Sequence, residues 1–188
     1  MRTCFASCLF AGLFISAIYS ANDPYIDKLK GIYQYATWVD STKTNYLQQI
    51  QNWNPDISLY GATNIEIQEL GKVYGNSRVS FYVFQTTNTP YDVYLKITEE
   101  PSIHDAHEAL MEFFSTCSAI QPFPTGASIG VNLGDHCYTG YPIGATNSVT
   151  FVRNNVLIDI SSGEPPASVF EIAKKIDQQL LTISCAPK

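Results

Sequence analysis

The sequence predicts an α+β fold: a largely antiparallel sheet from two βββα-like units, helices on one face, preceded by an N-terminal helical segment. Three observations predict it. The apolar spacing is helical as far as Trp53 and changes to a period of two from Ala62. Alternating runs are then separated by turn residues such as Gly75-Asn76 and Asn154-Asn155. Each half ends in a serine followed by an amphipathic stripe, at Ser102 and again at Ser168.

Residues 1–20 stand apart. Met1-Arg2 gives a positive start, Phe5 to Ile18 is apolar, and Ser20 supplies a small residue before Ala21. This is the layout of a secretory signal peptide, too short for a comfortable membrane span. Residues 21–188 then read as a single domain. It divides into a helical segment at 21–60, a first unit at 61–117, a long loop at 118–135 and a second unit at 136–188.

In the helical segment, Asp23-Pro24 opens one helix with Tyr25, Leu29, Ile32 and Ala36 on a face. A second runs from about Ser41 to Trp53 and stops at Asn54-Pro55. Ile65 and Ile67 mark the first strand. "RVSFYVFQ", residues 78–85, is apolar on both faces and belongs inside the sheet. Tyr91, Val93, Leu95 and Ile97 alternate with polar neighbours, giving a strand with one wet face. The helix from Ser102 buries Ile103, Ala106, Leu110, Phe113 and Cys117. After the Gly- and Pro-rich loop, "DHCYTGY" returns to a strand. "TFVRNNVLIDI", residues 150–160, folds on a two-residue turn that sets Arg153 opposite Val156 and Phe151 opposite Ile158. The last helix buries Val169, Ile172, Ala173, Ile176, Leu180 and Ile183.

The chain of 188 residues is 45% hydrophobic, enough for one globular core. Removing residues 1–20 takes away Arg2 and no acid, leaving ten basic against seventeen acidic side chains, a net charge of −7. Such a surface repels phosphate backbones, so nucleic acid is not an expected partner. No integral membrane segment is expected once the signal is cleaved. Cys117, Cys137 and Cys185 remain, and an oxidising compartment favours a Cys117–Cys137 disulfide.

Few residues look chemical. Arg153 lies among apolar neighbours at the hairpin end, either covering core with its stem or clamping a carboxylate or anion. With Asp135, His136, Tyr138 and Tyr141 nearby in the pattern, it makes the candidate ligand-binding set. His104, His107 and Glu108 share a helical neighbourhood and, with His136, form the candidate metal set of an alternative, metal-dependent or carboxylate-based hydrolase. Their order is not that of the His-Glu-x-x-His motif, and structural zinc wants four closed ligands. Adjacent His136 and Cys137 point to opposite faces of a strand and cannot act as base and nucleophile. There is no Gly-x-Ser-x-Gly, and the glycines at 126, 130 and 134 lack the Lys-Ser/Thr of a phosphate loop. No cofactor is implied. The N-terminal aromatics, Tyr25 to Tyr60, read mainly as core, or as a binding patch where several are exposed together.

Phe151, Arg153, Asn155 and Val156, followed by Ile172, Ala173, Ile176, Asp177 and Leu180, form a distinct C-terminal pattern. It resembles small exported bacterial domains of unassigned function, in which a Phe-x-Arg-x-Asn-Val hairpin pairs with an Ile-Ala-x-x-Ile-Asp-x-x-Leu helix. The resemblance implies export and hairpin–helix pairing. It implies no activity and no catalytic residue. The expected function is that of a secreted or periplasmic, non-catalytic binding or accessory domain, with a protein, small-molecule or glycan ligand. The expected surface is loop 118–135 with its adjoining strand, or the aromatic N-terminal region.

Overall fold

The computed structural model describes residues 24–38, 46–86, 89–117, 122–140, 146–163 and 168–186. The expected signal segment, and Tyr141 of the expected ligand-binding set, lie outside them. Six strands form one antiparallel sheet: β1 (Ala62–Tyr74), β2 (Ser77–Thr86), β3 (Thr89–Glu99), β4 (His136–Thr139), β5 (Ser148–Arg153) and β6 (Val156–Ser162). Their order is β1-β2-β3-β6-β5-β4. Among the described residues three α-helices accompany them: α1 (Pro24–Ile32) ahead of the sheet, α2 (Ile103–Thr116) and α3 (Phe170–Cys185). Among the described residues no helix is long and apolar enough to cross a membrane.

The sheet is two three-stranded meanders joined along β3 and β6, where Leu95 faces Ile160 and Ile97 faces Ile158. On one face, Phe84, Leu95, Phe151, Ile158 and Ile160 pack under Ile172, Ala173, Ile176 and Leu180 of α3. Toward β2 that face is covered by Ile50, Ile57 and Tyr60. The other face presents Tyr138, Val152 and Leu157 to Ala106, Leu110, Met111 and Phe114 of α2. Leu29, Tyr33, Tyr35 and Trp38 complete that second layer.

The two helices therefore lie on opposite faces, not on one. The reason is in the strands. Phe151 and Val152, like Leu157 and Ile158, are neighbours that point to opposite sides. Both sides of the β5–β6 half are apolar, so each needs its own cover. The strand part of the twofold repeat stands, and the helical part does not.

The same layering separates the expected disulfide partners. Cys117 caps the end of α2 on one side, while Cys137 packs beside the α3 layer on the other. The structure forms no bond between them.

Ser102 caps α2 as expected, accepting from the Asp105 N–H at 3.1 Å and donating to its carboxylate at 2.6 Å. Helix α3 starts later than Ser168, at Phe170, with Val169 as its N-cap residue. The described part of the expected second N-terminal helix, residues 46–53, is not helical but an irregular strap. Loop residues 122–135 form a short 3-10 turn at Gly126–Ile129, pair Thr125 with Tyr138 of β4, and bury Val131 and Leu133. That loop caps one edge of the sheet. At the other, β1 leaves Ile65, Ile67, Leu70 and Val73 exposed. Three register shifts and the charges of Glu66, Glu69 and Lys72 blunt this edge against strand addition.

Candidate functional site

The β5–β6 hairpin ends in a buried polar cluster. Its register is the expected one, with Arg153 opposite Val156 and Asn154 in the left-handed conformation at φ 57°. Arg153 is only 7% exposed. Its guanidinium grips Asp177 of α3 with two bonds of 2.7 Å, from Nε and Nη2. Nη1 reaches Asp135 Oδ1 and Tyr46 Oη, each at 3.4 Å. Tyr46 donates to Asp135 Oδ1 at 2.5 Å, and the Asn154 N–H donates to Asp135 Oδ2 at 2.9 Å.

Gly134 makes this approach possible. It sits at φ 59°, and a Cβ there would meet the Val152 carbonyl oxygen at 2.2 Å. Its N–H donates to Asp177 Oδ1 at 3.1 Å. Burial works against the Arg153 charge, but the hydrogen bonds to Asp177 and Tyr46 outweigh it and hold the group protonated. Burial and the bond to Asp135 push the Tyr46 phenol well above its ordinary range.

Next to this cluster, the turn asparagines fasten the strap. Asn154 Nδ2 donates to the Gln48 carbonyl at 2.8 Å and to Ser184 Oγ at 3.0 Å. Asn155 both accepts from Ile50 N–H at 2.8 Å and donates to the Ile50 carbonyl at 2.9 Å. Glu99 accepts from the N–H groups of Asn52 and Trp53 at 2.8 and 2.6 Å and pairs with Arg78 at 2.6 Å. These side chains take the place of helical bonds, which is why residues 46–53 do not coil. Beside the strap lies an open groove of about 620 Å³, bordered by Tyr46, Leu47, Gln51, Ile103, Asn154 and Ile183.

The remaining sequence candidates are dispersed or spent on packing. His136 stacks on Trp38, with centroids 4.4 Å apart, and meets His107 edge-on at 5.0 Å. Tyr138 is core, in edge contact with Phe114 and Tyr33. Glu108 turns away toward α1, accepting from Lys30 at 2.9 Å and Tyr35 at 2.5 Å. Burial raises its carboxyl, and those two bonds outweigh burial and lower it. His104 is exposed, 4.0 Å from Glu108. The expected metal set therefore does not converge. Among the described residues no group of three or more histidine, cysteine or acidic side chains is placed to hold an ion.

Comparison with protein-family models, with curated proteins and with solved structures gives no match. The geometry alone bears on function.

Of the expected ligand-binding set, Arg153 and Asp135 are interior and mutually engaged, so the solvated arginine does not describe Arg153. Of the N-terminal aromatics, Tyr33, Tyr35, Trp38 and Tyr60 are buried in the core, as mainly expected, while Tyr25 is exposed. Asp177, Tyr46, Asn155 and Glu99 are not among the site residues expected from the sequence. Asp177 had a signal: it adjoins Ile176 and stands four residues after Ala173, on the buried stripe, where an acid needs a partner.

Proposed function

We propose that the chain is an exported, non-catalytic binding domain, working in the periplasm or outside the cell. The observation that carries this reading is at the hairpin tip. Asp135, Asp177, Arg153 and Tyr46 satisfy one another, and their neighbours pin an irregular strap beside an open groove. Exposed irregular segments on a rigid scaffold are where binding residues concentrate, and a groove of this size lies in the range of ligand sites. The signal-like residues 1–20 support export, and the net charge of −7 argues against nucleic acid as the ligand.

The test has two arms. A photoreactive residue at Gln49 should give a discrete adduct in the native envelope, and one at exposed Gln178 on α3 should give none. A panel of ester, peptide and glycoside substrates, with and without added zinc, should show no turnover that His107→Gln removes. Turnover lost in that variant would restore the hydrolase reading.

A further inference from the structure

Between Gln48 and Asn52 the strap alternates: Gln48, Ile50 and Asn52 spend main-chain groups inward. The alternation ends on both sides, where the Leu47 N–H also goes to the Ser184 carbonyl at 2.9 Å and where Asn52, at φ 56°, turns the Trp53 N–H to Glu99 at 2.6 Å. The Gln48 N–H donates to the Ser184 carbonyl at 3.3 Å, Ile50 uses both groups on Asn155, and the Asn52 N–H donates to Glu99. Gln49 and Gln51, between them, are exposed and make no hydrogen bond to any described residue, through main chain or side chain. The chain does not bend from Gln49 to Gln51. In an extended chain, alternate residues turn both N–H and C=O to the same edge. Gln49 and Gln51 thus hold out two donors and two acceptors in the spacing of a strand edge. Unlike β1, this short edge has no charge on it.

Grooves flank the edge on both sides. The larger is bordered by Leu47, Ile103 and Ile183 and has no charged side chain among its described residues. The smaller, of about 240 Å³, contains Arg78, Glu99 and Glu100. Arg78 and Glu99 neutralise each other at 2.6 Å. Glu100 accepts from Ser77 Oγ at 2.7 Å and has no cationic partner within ion-pair distance among the described residues. Asp105 and Glu112 add negative potential around it, with Lys96 the opposing charge. Once the Glu100 carboxyl is ionised, above about pH 7 or earlier where a bound cation draws off its proton, this groove complements a cation.

We propose that the strap captures an extended peptide segment of another protein through main-chain bonds at Gln49 and Gln51. An uncharged side chain of that peptide enters the larger groove, and a basic one points to Glu100. The inference rests on the binding-domain reading and names its partner class. Main-chain pairing gives affinity, and the two grooves give specificity.

The experiment selects linear peptides from a random dodecamer library on the purified protein, then titrates an enriched synthetic peptide into ¹⁵N-labelled protein. The largest amide shifts should fall at Gln49 and Gln51. Gln51→Ala keeps the N–H and should bind within about twofold, whereas Gln51→Pro removes it and should weaken binding about tenfold. N-methylation of the peptide at the paired residue should do the same without touching the protein. Glu100→Gln should weaken only peptides with a basic residue. Shifts confined to β1 would overturn the strap as the site and leave the binding reading intact. So would the absence of any enriched peptide alongside an oligosaccharide that shifts Gln49 and Gln51. No adduct from Gln49 in the native envelope would instead sink the binding reading itself.

Discussion

Arg153 shows what a buried ion pair does in this fold. Taking its charge and that of Asp177 out of water is costly, and only the two-pronged geometry with the added bonds of Gly134 and Tyr46 offsets it. Removing one partner leaves the other charged and stranded. Asp177→Ala should therefore lower unfolding free energy by about 3–5 kcal/mol. The double variant Arg153→Met/Asp177→Ala should lose at least about 1 kcal/mol less than the sum of the singles, because it strands no charge on that axis. Urea unfolding of the four proteins measures both.

His107 and Glu100 supply a pH test of opposite signs. Burial holds His107 neutral in the fold, so only the unfolded chain takes up its proton as pH falls through about 6.5. Its contribution is complete above that value and declines below it. Burial raises the Glu100 carboxyl to about 7 from 4.5, so the folded chain keeps a proton that the unfolded chain releases. That contribution is complete below pH 4.5 and is lost as pH rises through about 7. Relative to the parent, His107→Gln should gain stability toward pH 5, and Glu100→Gln should gain it toward pH 7. Urea midpoints across that window check the two slopes.

Among the elements, Asn155 ties the strap to the hairpin turn through both main-chain groups of Ile50. Asn155 Nδ2 also reaches the Glu100 carbonyl at 2.7 Å, joining the strap to the end of β3. Asn155→Ala strands the Ile50 N–H and two carbonyls, at about 1 kcal/mol or more for each lost bond. It should cost roughly 2–4 kcal/mol and speed hydrogen exchange at Ile50, while amides of β6 keep their protection.

Strand register was legible from the chain. The two-residue turn placed Phe151 opposite Ile158 and Thr150 opposite Asp159, and those last two are bonded at 2.9 Å. The strap was not legible. Tyr46, Leu47, Ile50 and Trp53 have helical spacing, and what overrides it comes from distant residues: Asn154, Asn155, Glu99 and Ser184. A local pattern contains no sign of partners more than 40 residues away. At the last helix the start is displaced by one residue: the first helical bond runs from the Ala173 N–H to the Val169 carbonyl at 3.0 Å, and Ser168 Oγ accepts only the Phe170 N–H, at 3.4 Å.

Across the whole molecule, the sheet is nearly symmetric and its covering is not. Two meanders meet at β3 and β6, yet both long helices serve the β5–β6 half from opposite sides. Composition and alternation foretold the α+β class, but the choice of face depended on apolar residues on both sides of β5 and β6. The candidate site was half visible. Its arginine stood out as a lone charge among apolar neighbours and Asp135 was grouped with it, whereas Asp177 and Tyr46 come from other elements and join them only in the fold.

In the proposed binding reading, the convergence of Arg153, Asp135, Asp177 and Tyr46 holds up the strap, and the unfolding free energy of Arg153→Met measures that role without any ligand. A loss of about 3–5 kcal/mol is expected, with the stranded carboxylates releasing the strap. A variant as stable as the parent, to within about 0.5 kcal/mol, would contradict it and return Arg153 to the role of a ligand clamp.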